Sequence, residues 1–136
     1  MNKIGITTRL TLSKHGEIRD TLDIRWNKLL KNLGFETIII PTGIEYRDFL
    51  NSQSIKRIIF TGGNDLSSLN KNNLSSIRDK KEKIILNYAL DNSLTVLGVC
   101  RGMQFIAEEF GSTLKKVSNH ISQEHKLSVV NTFWGS

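Results

Sequence analysis

Two short stretches of this sequence bring together residue types that could break an amide bond. Gly98-Val-Cys-Arg-Gly102 sets a cysteine between two glycines where an apolar run, Leu94 to Val99, gives way to helical spacing. A strand-to-helix turn of this kind follows the logic of a nucleophile elbow. The side chain is thrust out of the sheet, and the glycines remove Cβ atoms that would strike neighbouring backbone. Placement at a helix N-terminus favours the thiolate of Cys100, because the helix dipole and unpaired amides stabilise negative charge. The amide of Arg101 would then point to where an oxyanion develops during attack on a carbonyl. Thr61-Gly62-Gly63-Asn64-Asp65 closes another strand and offers a second bare backbone segment, suited to supply the other oxyanion donor. Both have plainer readings. A lone cysteine is commonly a buried structural side chain, and Gly-Gly-Asn-Asp is turn chemistry in any fold. Their shared position at strand ends favours the chemical reading.

The elements that must position these turns follow from periodicity. Lys3 to Thr8 alternates and is rich in β-branched residues, which predicts a first strand. From Gly16, apolar residues Ile18, Leu22, Trp26, Leu29, Leu30 and Leu33 recur at three- and four-residue steps, predicting one amphipathic helix stopped at Gly34. Glu36 to Pro41 reads as a strand buried on both faces, Ile44 to Ser54 as a short helix with a loop, and Lys56 to Thr61 as a third strand. Leu66 to Ser76 is polar and reads as a surface loop. A helix marked by Ile77, Ile84, Ile85, Tyr88 and Ala89 follows and ends near Asp91 or Asn92. Leu94 to Val99 reads as a fully buried strand, Arg101 to Phe110 as a helix ending at Gly111, and Lys126 to Phe133 as a last strand. Alternating strands and helices of this kind predict an open, mostly parallel sheet with helices on both faces, a flavodoxin-like three-layer α/β/α arrangement. Ligands of such sheets sit at the carboxyl ends of the strands, where both glycine turns fall.

Length and composition narrow the field. The chain has 136 residues, room for one domain and one core, with 38% hydrophobic and 24% charged residues, which is ordinary globular usage. No apolar run approaches membrane-spanning length, and the first residues read as a strand, which argues against a secretory signal. One cysteine excludes an internal disulfide framework and a cysteine-rich zinc site, and points to a reducing, cytoplasmic setting. The net charge of +6 raises the question of nucleic acid. The cations are scattered, however, and the densest group (Arg78, Lys80, Lys81, Lys83) is interleaved with Asp79 and Glu82, as on a solvated helix face. Neither a metal-ligand spacing nor a dinucleotide fingerprint is present, so no cofactor is expected.

Taken together, Phe60-Thr-Gly-Gly-Asn-Asp65, Arg78-Asp79-x-x-Glu82, Leu97-Gly-Val-Cys-Arg-Gly-Met-Gln104 and Gly111-Ser-Thr-Leu114 resemble class I glutamine amidotransferase domains. More narrowly, they are similar to the γ-glutamyl-γ-aminobutyrate hydrolase (peptidase C26) branch. Ile4-Gly-Ile-Thr-Thr-Arg9 and Asp23-Ile-Arg-Trp26 look most like members associated with capsule or surface-polysaccharide genes. The resemblance implies a hydrolase of γ-glutamyl amides with Cys100 as nucleophile, passing through a γ-glutamyl thioester. It implies the backbone amides of Gly63 and Arg101 as the oxyanion hole, and Gly62 and Gln104 as substrate-binding positions.

The family's triad also needs a His-x-Glu signature near the C-terminus, since a general base must reach the thiol and a carboxylate must orient it. After Cys100 the sequence holds His120 and His125, neither in that signature. His15-Gly-Glu17 has the letters but lies before the first expected helix, as a loop. Val130-Asn-Thr-Phe133 resembles a segment after which family members continue for further strands. The expectation is therefore a single domain over 1–136 lacking its C-terminal portion, with little turnover of its own. Three other readings remain: a non-catalytic binding or regulatory remnant, a glutaminase subunit delivering ammonia to a partner synthetase, and a redox-active thiol protein.

Overall fold

The computed structural model describes residues 2–64 and 72–112. The chain opens with strand β1 (Asn2–Ile6) and then a hairpin of β2 (Arg9–Leu12) and β3 (Ile18–Thr21). Helix α1 (Arg25–Asn32), strand β4 (Phe35–Ile39), helix α2 (Tyr46–Ser52) and strand β5 (Arg57–Phe60) follow. Helix α3 (Asn73–Asp91), strand β6 (Thr95–Gly98) and helix α4 (Arg101–Glu109) complete the described elements. Strands β4, β1, β5 and β6 pair in that order, all in parallel, giving the open sheet that the alternation of elements predicts. The chain leaves β1 for β4 on one side and returns to β5 on the other. A crevice at the carboxyl ends of β1 and β5 is the natural outcome.

Apolar side chains fill both faces of the sheet. On one, Leu30 of α1 joins Ile4, Ile6 and Ile59, with Leu22, Trp26 and Val99 packed around them. On the other, Leu50, Ile85, Leu86, Ala89 and Phe105 from three helices meet Ile58 and Phe60. Helix α1 ends as its glycine dictates: Gly34 takes φ +88° and donates to the Lys31 carbonyl at 3.0 Å. Helix α3 starts under an Asn72 cap, whose side chain accepts from the Ser75 amide at 2.9 Å.

Several expectations are corrected. The helix expected from Gly16 begins only at Arg25, and the residues before it form the hairpin. Leu10 pairs with Asp20 and Leu12 with Ile18 across a turn in which Gly16 adopts φ +86°. Alternation on both sides of a glycine turn outweighs the four-residue spacing of Ile18 and Leu22. Strands β4 and β6, expected to be buried on both faces, lie at the two ends of the pairing order among the described residues. Accordingly Ile39 is 43% and Leu97 56% exposed. The polar segment expected to loop until Ser76 turns helical at Asn73. Asp65, His120, His125 and the strand expected over 126–133 lie outside the described residues.

Candidate functional site

Cys100 stands between β6 and α4 with φ +54° and ψ −114°, a backbone state that side-chain-bearing residues rarely occupy. The neighbouring glycines explain how the chain tolerates it. A Cβ on Gly98 would come within 2.6 Å of the Met103 nitrogen, and one on Gly102 would lie 2.0 Å from the Phe60 carbonyl oxygen. The turn is therefore pressed onto the end of β5, where the Val99 amide donates to the same Phe60 carbonyl at 2.9 Å. Cys100 is exposed. Gln104 follows one turn later, half-buried, its amide donating to the Cys100 carbonyl at 3.1 Å.

Gly62 and Gly63 leave the end of β5 beside it. A Cβ on Gly62 would stand 3.1 Å from Cys100 Cβ and 3.8 Å from its sulfur, so bare backbone faces the thiol. Gly63 has φ +80°, and the stem of Arg9 covers it closely enough that any Cβ there would collide. Asn64 then acts as a false strand neighbour to the hairpin. Its side chain accepts from the Leu10 amide and donates to the Leu10 carbonyl, both at 2.9 Å. The result is a cleft of about 430 Å³ walled by Arg9, Thr21, Leu22, Asp23, Trp26, Thr61, Gly62, Gly63, Val99 and Cys100. Cys100, Gly62 and Gly63 are thus brought together as expected. Gln104 and Arg101 do not line this cleft.

The charged stretch expected on a solvated face is divided: Lys80 and Lys83 are exposed as expected, while half of it is interior. Arg78, Lys81 and Glu82 share one side of α3 and are at most 1% exposed. Arg78 donates to the carbonyls of Thr61, Gly62 and Gly63 at 2.9, 2.7 and 2.8 Å and lies 3.2 Å from Glu82. The other oxygen of Glu82 takes Arg101, whose guanidinium also reaches Asp79. Burial pulls the Arg78 guanidinium down to about 10, the Glu82 charge resisting, so it stays charged at neutral pH. Lys81 donates to the Ile40 carbonyl at 2.6 Å and the Thr42 hydroxyl at 2.9 Å. Burial lowers its amine to about 8 against the pull of Asp20 and Glu82. Asp20 on β3 accepts from the Thr8 hydroxyl and from the Thr42 amide and hydroxyl, at 2.6, 3.0 and 2.6 Å. Burial works to raise its carboxyl, but these hydrogen bonds and Lys81 outweigh that and hold it below 3.8. One helix face therefore holds the double-glycine turn, the elbow and, through Asp20, the hairpin.

Sequence reasoning does not single out Arg9, Asp20 or Lys81 as site residues. The alternating Arg9 to Leu12 and Glu17 to Thr21 around Gly16 carry the signal for the hairpin that brings in the first two. His15 and Glu17 sit in that hairpin's exposed turn, with Glu17 paired to Arg19 at 2.6 Å. Among the described residues, no helix is long and apolar enough to cross a membrane.

The chain is similar to several known proteins. The chain is 37% identical over 122 residues to a γ-glutamyl-CDP-amidate hydrolase of Campylobacter jejuni, covering 88% of this chain and 61% of that protein. It is 26% identical over 106 residues to a glutamine-hydrolyzing GMP synthase subunit of Methanocaldococcus jannaschii, covering 78% of this chain and 48% of that protein. A putative glutamine amidotransferase-like protein of Lactococcus lactis is 27% identical over 121 residues, covering 74% and 50%. The chain thus spans about half to three fifths of these curated relatives. The Peptidase C26 family model matches residues 3–132, nearly the full length of the sequence, and the chain belongs to the Peptidase C26 family.

Proposed function

We propose that this chain carries the acyl-accepting half of a γ-glutamyl amide hydrolase. The observation that supports this most is an exposed Cys100 on a positive-φ turn, sharing one cleft with the bare backbone of Gly62 and Gly63. The sulfur of Cys100 would attack the γ-carbonyl, with the Gly63 and Arg101 amides receiving the oxyanion. Collapse would break the C–N bond, release the amine with a proton and leave a γ-glutamyl thioester. Water would then free glutamate. Gly62 leaves room for the acyl group, and Gln104 on α4 would hold the glutamyl end.

The cleft runs from Cys100 toward the hairpin and α1, past Arg9 and Trp26. Arg9 has no ion-pair partner among the described residues, and Trp26 offers an aromatic wall. Both suit a leaving group that is anionic and planar, such as a nucleotide phosphoramidate in surface-polysaccharide precursor metabolism, in line with the name of the Campylobacter relative. The lone cysteine is in keeping with a reducing, cytoplasmic setting.

An activated γ-glutamyl aryl ester, whose leaving group needs no proton, tests acylation of Cys100 directly. The expected result is release of at least one phenolate per chain, absent in Cys100→Ala. No Cys100-dependent release of phenolate would contradict this reading.

A further inference from the structure

We infer that Arg78 and Glu82 are positioning residues that hold the Gly63 and Arg101 amides in register, so that the oxyanion hole is built from outside by α3. This rests on the reading of Cys100 as an acyl-accepting nucleophile. The double-glycine turn has little conformational constraint of its own, because glycine populates both signs of φ. Among the described residues no backbone hydrogen bond engages the Gly63 amide. Arg78 supplies the constraint from the carbonyl side instead. Its guanidinium takes three successive carbonyls, those of Thr61, Gly62 and Gly63. In a planar trans peptide the C=O and N–H point in opposite directions. Anchoring the Gly62 carbonyl on Arg78 therefore aims the Gly63 N–H away from α3, and a flip of that peptide would take one acceptor from a buried guanidinium.

The second donor is fixed by the same helix. As the first residue of α4, Arg101 has no intrahelical acceptor for its amide, which leaves that group available at the elbow. Its side chain turns inward and is buried against Glu82 and Asp79. Glu82 is the link, with one oxygen on Arg78 and the other on Arg101. A single buried carboxylate thus ties the turn after β5 to the turn after β6. Stability alone is a weak explanation for such a network, because buried ion pairs often do no better than well-packed hydrocarbon.

Two reagents applied to the full chain separate positioning from general integrity. Acylation by an activated γ-glutamyl aryl ester passes through a tetrahedral oxyanion. Alkylation by iodoacetamide displaces iodide from carbon and develops none. The readout is the ratio of the two rate constants at Cys100, measured for wild type, Arg78→Lys, Glu82→Gln and Asp79→Asn, with circular dichroism confirming the fold of each. Lysine keeps the charge but cannot span three carbonyls, and glutamine keeps the shape but not the double ion pair. The ratio should fall ~10²-fold in the first two variants, the scale of a lost or misplaced oxyanion donor. It should fall ~3-fold or more in Asp79→Asn, whose partly exposed site at the end of the network makes it the variant least at risk of unfolding. A ratio equal to wild type in the folded variants overturns this inference while leaving the function intact. A wild-type chain alkylated by iodoacetamide but not acylated by the ester overturns the function, and the inference with it.

Discussion

Over its first turns α3 buries Arg78, Lys81 and Glu82 against carbonyls and other charges, while over its last turns it buries Ile85, Leu86 and Ala89 in the apolar cluster around Ile58 and Phe60. Depth is the same at both ends, and the chemistry is opposite. Hydrocarbon burial is non-directional and roughly proportional to area, so the C-terminal half stabilises the sheet without fixing any one backbone orientation. Charge burial is costly unless every partner is in place. The N-terminal half therefore specifies where the turns after β1, β4, β5 and β6 must lie. The same helix stabilises with one end and aims with the other.

Removing a partner from each end should expose this contrast. Glu82→Ala leaves Arg78 and Arg101 buried without their shared carboxylate and should cost about 3–5 kcal/mol in urea denaturation. Ile85→Ala should cost about 2–5 kcal/mol by lost packing, yet leave the ester-to-iodoacetamide ratio at Cys100 unchanged. If the two variants change that ratio alike, the division between the ends of α3 is wrong.

A smaller effect should come from Lys81, whose amine is lowered by burial to about 8 from 10.5. Between those values the unfolded chain holds a proton that the folded chain has released, so stability rises with pH across this window. The slope should be lost in Lys81→Met, measured as the difference between the two proteins' unfolding free energies from neutral pH upward. A parallel pair of curves would show that Lys81 stays charged when buried. Smallest of all, Asp91→Asn breaks only the half-exposed pair with Arg47 at 3.0 Å, and its melting curve should shift by less than about 1 kcal/mol.

How much of this is legible in the sequence depends on the range of the interactions. The elbow and the double-glycine turn are local signals, since a glycine on each side of Cys100 reports the close approach of β5 and α4. The alternation of strands and helices likewise gives the parallel sheet. The hairpin is obscured because Ile18, Leu22 and Trp26 continue the spacing of α1 backwards, while the competing signal lies in the turn at Gly16. The interior charges escape a sequence reading for a deeper reason. Arg78, Lys81 and Glu82 find their partners at Thr61 to Gly63, at Ile40 and Thr42, and at Arg101, and no local charge pattern can show a partner 16, 41 or 19 residues away. The exposure of Leu97 accompanies the place of β6 at the end of the described strands, and periodicity does not encode strand order.

The proposed chemistry depends most on the sulfur of Cys100 becoming an acyl carrier. Mixing the chain with an activated γ-glutamyl aryl ester, quenching in acid and measuring the intact mass and the digest tests this directly. The expected product carries one glutamyl group per chain, on the peptide containing Cys100, and Cys100→Ala carries none. Unmodified protein, or a glutamyl group carried elsewhere with Cys100 still free, would contradict it.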